Sequence, residues 1–166
     1  IETSGYYAVE NRVVTVAEHP GAVRTAAGLD LLVTDGLDLL ATADLVVLPS
    51  WDPDLVPSAE LLDAVRTAHA HGAKVLGLCL GAFVVDASGI AQGREVSTHW
   101  SAGPQLAARH PELTVRCEAL WTDLGDVVTS AGVAAALDCC LHVVRTEQGS
   151  AVAADVQART IKFPAA

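Results

Sequence analysis

The sequence contains no methionine. A chain without Met does not begin at a natural initiator, so it is expected to be a portion of something longer. Basic residues are also scarce. Ten Lys and Arg stand against twenty Asp and Glu, a formal charge of -10. A surface of that sign repels phosphate backbones, so any contact with nucleic acid is expected from another segment. Charge of either sign is low, at 18% of residues, which excludes the disordered and coiled-coil classes. No apolar run reaches the ~18 residues of a membrane helix and no signal peptide is visible, so no membrane contact is expected. The four cysteines, Cys79, Cys117, Cys139 and Cys140, form no C-x-x-C, and no His cluster has zinc-ligand spacing. The expectation is no metal, no cofactor, no disulfide and a reducing cytoplasmic compartment. Internal repeats and low-complexity tracts are absent as well.

What is present is apolar. Of 166 residues, 51% are hydrophobic, enough for one domain with a real core. The most informative stretch runs from Lys74 to Gly89. It opens with an apolar strand-like run, Val75 to Leu78, and ends in helix formers closed by Gly89. Between them stands Gly77-Leu78-Cys79-Leu80-Gly81, the nucleophile-elbow pattern with Cys in place of Ser. A strand that turns at once into a helix crowds its backbone, and glycines on either side relieve the clash. Cys79 is then expected at the apex, strained and beside a helix N-terminus that favours an anion. A thiol there is expected to ionise more readily than a free Cys. The alternative is a small apolar plug at the end of a central strand.

Along the chain, Tyr6 to Val9 and Val13 to Val16 read as strand. Glu18-His19-Pro20-Gly21 reads as a turn, and Val23-Thr25 and Leu29-Val33 as short strands. A helical turn is expected over 37–41. Leu45-Val46-Val47-Leu48 is continuously apolar, which predicts a strand buried on both faces. Ser58 is a natural N-cap with Glu60 in the first turn, and Leu61, Leu62, Val65 and Ala68 share one face up to Gly72. Strand, helix and strand from Leu45 to Leu78 therefore form a βαβ crossover with parallel strands. Later come a short strand at Val96, a helix over 104–110, a strand over 113–120 and a return strand at Val127-Thr129. A helix from about Ser130 to Glu147 looks apolar nearly all round and should be deeply packed. A last helix is expected over 150–159. Cys139 and Cys140 suit burial in the helix before it.

In an open parallel sheet, ligands bind beyond the carboxyl ends of the strands. Two such ends carry unusual residues: Pro49-Ser50-Trp51 and Cys79. His99 follows a third strand and is a candidate base for Cys79; a satisfied structural histidine is the alternative. His19, His69, His71, His110 and His142 read as structural. Trp51 and Trp100 are candidates to wall a pocket, and Trp121 to pack.

Several spaced motifs agree in order with one family. They are Gly-Leu-Cys79-Leu-Gly81-Ala-Phe-Val, the Gly89 to Arg94 loop, Ser97-Thr-His-Trp100, and Thr129-Ser-Ala-Gly-Val-Ala-Ala-Ala-Leu-Asp138-Cys-Cys-Leu-His142-Val-Val-Arg145. Together they resemble the ThiJ/PfpI superfamily, whose fold is like the class I glutamine amidotransferases. Within it the chain is most similar to the N-terminal domain of GlxA-type regulators of the AraC family. The resemblance implies an α/β, flavodoxin-like three-layer sandwich with a mostly parallel central sheet. It implies a single domain over 1–166 lacking the usual first strand and helix, with their acidic residue beside the Cys. It implies a homodimer, an unknown small-molecule effector, and DNA contact only through a C-terminal helix-turn-helix domain beyond residue 166. Ser50, Trp51, Cys79, Leu80, Gly81, His99 and Trp100 would line the ligand site. The second reading is a cysteine-dependent hydrolase or hydratase of the isonitrile-hydratase kind, with Cys79 attacking, His99 assisting and the Leu80 N–H holding the oxyanion. Two further departures count against catalysis: Leu80 replaces a common Thr, and Ser50-Trp51 stand where hydrolytic relatives often have two glycines.

Overall fold

The computed structural model describes residues 12–25 and 28–161. The expected strand over Tyr6 to Val9 lies outside them. The first hairpin among the described residues is antiparallel, of β1 (Gly21–Arg24) and β2 (Asp30–Val33). Val13 to Val16 is not the expected strand. Among the described residues it makes one bridge, from Val16 to Asp35, and most of it lies exposed. A 3₁₀ turn over Leu37–Thr42 leads into β3 (Leu45–Leu48).

Helix α1 (Ala59–Ala70) and strand β4 (Lys74–Leu78) complete the crossover. Ser58 caps α1 by accepting from the Leu61 N–H at 3.0 Å, and Gly72 leaves it at a φ of +97°. β3 and β4 are parallel, in the register Leu45 to Lys74. The 3₁₀ turn Cys79–Gly81 then passes into α2 (Ala82–Ala87). β5 (Glu95–Val96) pairs in parallel with β6 (Thr114–Val115), and α3 (Gly103–Arg109) lies between them in sequence. β7 (Trp121–Asp123) and β8 (Val127–Ser130) form a hairpin, followed by α4 (Ala134–Gln148) and α5 (Ser150–Ile161).

The central sheet has the order β3-β4-β8-β7, with β3, β4 and β8 parallel and β7 antiparallel at one edge. Side chains alternate across a strand, and the core follows that alternation. Val75 and Val127 face one apolar cluster, with Leu61 and Val65 of α1 and Phe83 to Val85 of α2. Leu76 and Val128 face another, with Cys139 and Val143 of α4. Helices therefore cover both faces, the expected three-layer α/β sandwich around a mostly parallel sheet.

Three expectations about extent are corrected. β3 is buried on one face only: Val46 and Leu48 are inside, while Leu45 and Val47 are 42% and 47% exposed. Among the described residues it stands at the edge of the sheet, while α4 packs on β7 and β8. The long strand expected over 113–120 shrinks to Thr114–Val115, because Cys117 and Glu118 turn the chain. The antiparallel partner of β8 is instead β7, which begins at Trp121. Finally, α4 starts at Ala134, since Ser130 still belongs to β8. It buries only Ala135, Cys139 and Val143. Leu137 is 65% exposed, so its apolar character outruns the surface available to cover it.

Candidate functional site at the carboxyl rim of the sheet

The strands β3, β4 and β8 all end on the same rim, as parallel pairing requires. Cys79 follows β4 directly. Its φ is +56°, a left-handed conformation that costs a non-glycine residue about 1 kcal/mol or more. The flanking glycines explain how the turn closes. A β-carbon on Gly77 would lie 2.7 Å from Val85 Cγ2, and one on Gly81 would lie 2.2 Å from the Leu48 carbonyl oxygen and 2.6 Å from that of Pro49. α2 can therefore start against the end of β3 only because residue 81 has no side chain.

The third rim contribution comes from Gly132, just after β8. A β-carbon there would sit 2.7 Å from His99 Cδ2 and 2.8 Å from Cys79 Sγ. Thiol and imidazole thus meet over the same small patch of backbone. His99 is placed there by its neighbours. The Thr98 hydroxyl donates to the Cys79 carbonyl at 3.0 Å, tying the end of β5 to the turn. The Ser97 N–H donates to Thr129 Oγ1 at 2.8 Å, tying it to β8. His99 Nδ1 lies 2.8 Å from the Ser101 hydroxyl, and the Ser101 N–H points at the same nitrogen from 3.4 Å. A backbone donor at Nδ1 favours the tautomer that carries its proton on Nε2.

Cys79 is half-buried, and so are Leu80 and His99. Trp51 packs on the larger core cluster and donates its indole N–H to the Leu55 carbonyl at 2.9 Å. Ser50 is exposed at the end of β3. Trp100 is 73% exposed, with its ring 5.7 Å from that of His99. The structure thus brings Cys79, Gly81 and His99 together, and it adds two residues that sequence reasoning passed over, Gly132 and Thr98. The available signal for Gly132 was its place just past the apolar run Val127-Val128, at the rim where Cys79 also lies.

The other cysteines differ in setting. All four are free. Burial against the sheet pushes the Cys139 thiol up to about 12, and burial raises Cys140 as well. Cys117 is exposed on the β6–β7 connection. Two other paired histidines hold elements together: His69 to Asp126 at 2.8 Å, and His142 to Asp123 at 2.6 Å with its ring stacked on Trp121.

A strained cysteine on the carboxyl rim of a three-layer, mostly parallel sheet defines an α/β domain of the ThiJ/PfpI type. The DJ-1/PfpI family profile matches residues 6–146, and the chain belongs to that family. Among characterised proteins it is 27% identical over 106 residues to the HTH-type transcriptional regulator CdhR of Pseudomonas aeruginosa. That match covers 64% of this chain and 31% of the regulator, so the chain spans about a third of that relative's length. Among solved structures it is similar to an AraC family transcriptional regulator from Pseudomonas putida, with a TM-score of 0.72 at 24% identity, covering 87% of this chain and 78% of that one. A THiJ/PfpI family protein from Pseudomonas syringae superposes with a TM-score of 0.76 at 24% identity, covering 93% and 64%. Drosophila melanogaster DJ-1beta gives 0.70 at 20%, covering 86% and 78%. These three likenesses speak to the fold.

Proposed function

We propose that this chain is the effector-sensing domain of an AraC-type transcriptional regulator, acting in the cytoplasm as a homodimer. Its sensing crevice lies at the rim, with Cys79 at the base and Ser50, Trp51, Leu80, Gly81, His99 and Trp100 around it. DNA contact belongs to a separate helix-turn-helix segment, as the acidic balance of -10 requires. The observation that carries the reading is the convergence of Cys79 Sγ and His99 on Gly132, in a chain whose characterised relative is a transcriptional regulator. A small metabolite or an oxidant arriving there touches β4, β8 and the β5 end at once.

Thiol titration tests the crevice. Cys79 should be alkylated by iodoacetamide faster than Cys117, although Cys117 is the more exposed of the two. Equal or slower reaction at Cys79 means nothing at the rim activates it, and the sensing reading fails. Gel filtration with light scattering tests the dimer, and a monomer at micromolar concentration overturns that part.

One observation favours a second reading. The strained φ of Cys79 beside an oriented His99 is also what a cysteine hydrolase or hydratase needs. Turnover of an isonitrile or a glyoxal that disappears in Cys79→Ala supports catalysis, and its absence in the intact protein removes it. Ser50 and Trp51 in the place of backbone-exposing glycines weigh toward binding without turnover.

A further inference from the structure

Away from the crevice lies a cluster of ligating side chains that the reading above does not use. Asp86 stands on α2 with its carboxyl group only 4% exposed. Its helix neighbours Phe83, Val84 and Val85 are buried and apolar. His110 ends α3 and brings Nε2 to 2.8 Å from Asp86 Oδ2. Its other nitrogen, Nδ1, is 3.3 Å from Glu112 Oε1. One donor atom from each of the three residues lies within 4.8 Å of the other two.

We propose that Asp86, His110 and Glu112 form a site for a divalent transition-metal ion, of the zinc or manganese class. The donor set is one imidazole and two carboxylates, which suits those ions and disfavours thiolate-seeking metals such as copper(I). Two carboxylate charges balance a divalent cation. The burial of Asp86 is the second argument. An ionised carboxylate in an apolar setting is costly unless a cation meets it. His110 is the only partner of that carboxylate among the described residues. Accessibility is the third argument. His110 and Glu112 are 33% and 43% exposed, which leaves an entry path and room for water to complete the coordination. The scaffold is firm beneath two of the ligands, since the Arg109 guanidinium lies over the Phe83 ring at 5.5 Å and pins α3 to α2.

The two ring nitrogens of His110 face the two carboxylates, Nε2 toward Asp86 and Nδ1 toward Glu112. A metal ion takes one ring nitrogen of the neutral imidazole, while the Glu112 carboxylate swings in. Because α2 begins right after the Cys79 turn, occupancy would clamp the helix beneath the crevice to α3.

Calorimetric titration of zinc chloride into the metal-stripped chain, repeated with cobalt(II) for its visible absorption, provides the test. One saturable site is expected, weakened roughly 10–100-fold in His110→Gln and in Glu112→Gln, as loss of a metal-site partner does elsewhere. Asp86→Asn should abolish it; should that variant fail to fold, the half-exposed Glu112 decides. Cys79→Ser should leave binding intact. The proposal is overturned by no saturable binding, or by binding that survives His110→Gln and Glu112→Gln but vanishes in Cys79→Ser. Either result leaves the thiol titration of Cys79 to be read by itself.

Discussion

Val133 is the residue under the most obvious strain. It is β-branched, yet it holds φ +55° and ψ -117° immediately after Gly132. Such a conformation costs about 1–3 kcal/mol. Its side chain is 84% exposed, so little packing depends on it. Val133→Gly should therefore raise stability by about 1 kcal/mol, after the entropic penalty of glycine, as a rise in urea midpoint. Gly132→Ala acts differently. The new methyl group meets the tips of His99 and Cys79, which can move aside. Stability should fall by only about 1 kcal/mol, but the alkylation rate of Cys79 should drop, since the thiol leaves its seat. Gly81→Ala has no such escape, because carbonyl oxygens of Leu48 and Pro49 block it. A loss of about 3 kcal/mol or more is expected by chemical denaturation. These sites were only partly legible in advance. The G-x-C-x-G spacing marked Gly77, Cys79 and Gly81 because a strand-to-helix turn demands small neighbours. Gly132 is far away in sequence, and only β8 lying beside β4 makes it the fourth member of that turn.

At the scale of elements, local signals served helix α1 well. Ser58, Glu60 and Gly72 are start and stop signals that act within a turn, so they need no tertiary context. Ser58 also donates its hydroxyl to Glu18, which fastens the N-terminal segment to the helix. Ser58→Ala removes both bonds and should cost about 1–2 kcal/mol, read as a lower thermal midpoint; Ser58→Asp keeps the cap and should recover part of it. Burial was the property that local patterns misjudged. Leu45-Val46-Val47-Leu48 is as apolar as a doubly covered strand, yet Leu45 and Val47 on one face of β3 stay exposed. The same is true of Leu137 on α4. An apolar run states what a residue would gain by burial, not whether a neighbour arrives to cover it. The strand over 113–120 failed for a related reason: a strand exists only where a partner pairs with it, and β5 offers two residues.

Across the whole molecule, one ionic knot joins three elements. The Asp126 carboxylate at the β7–β8 turn accepts from Arg94 at 2.5 and 3.0 Å and lies 2.8 Å from His69 of α1. Arg94 in turn donates to the Leu124 carbonyl at 3.2 Å. The Arg94 hydrogen bonds, aided by His69, hold Asp126 well below the ordinary carboxylate value of 3.8. A carboxyl group depressed in the fold contributes stability above its unfolded value and loses it as the pH falls through the folded one. Acid should therefore loosen this knot from below about pH 4. Asp126→Asn should lower stability at pH 7 and flatten the decline between pH 4 and 2, as followed by circular dichroism in urea; an unchanged pH profile would show that the knot contributes nothing. The acidic balance of the molecule, -10, is a property of the same scale: it repels phosphate backbones.

Composition, periodicity and short-range turn chemistry were enough to specify an α/β domain with a parallel crossover and a cysteine at a tight strand-to-helix turn. Those features depend on interactions between residues a few positions apart, which a linear reading can see. The meeting of Cys79, His99 and Gly132, the covering of Asp86 by α3, and the exposure of Leu45 and Val47 on β3 arose only when strands distant in sequence paired. Pairing order and helix placement set which atoms share a space, and no local pattern encodes that.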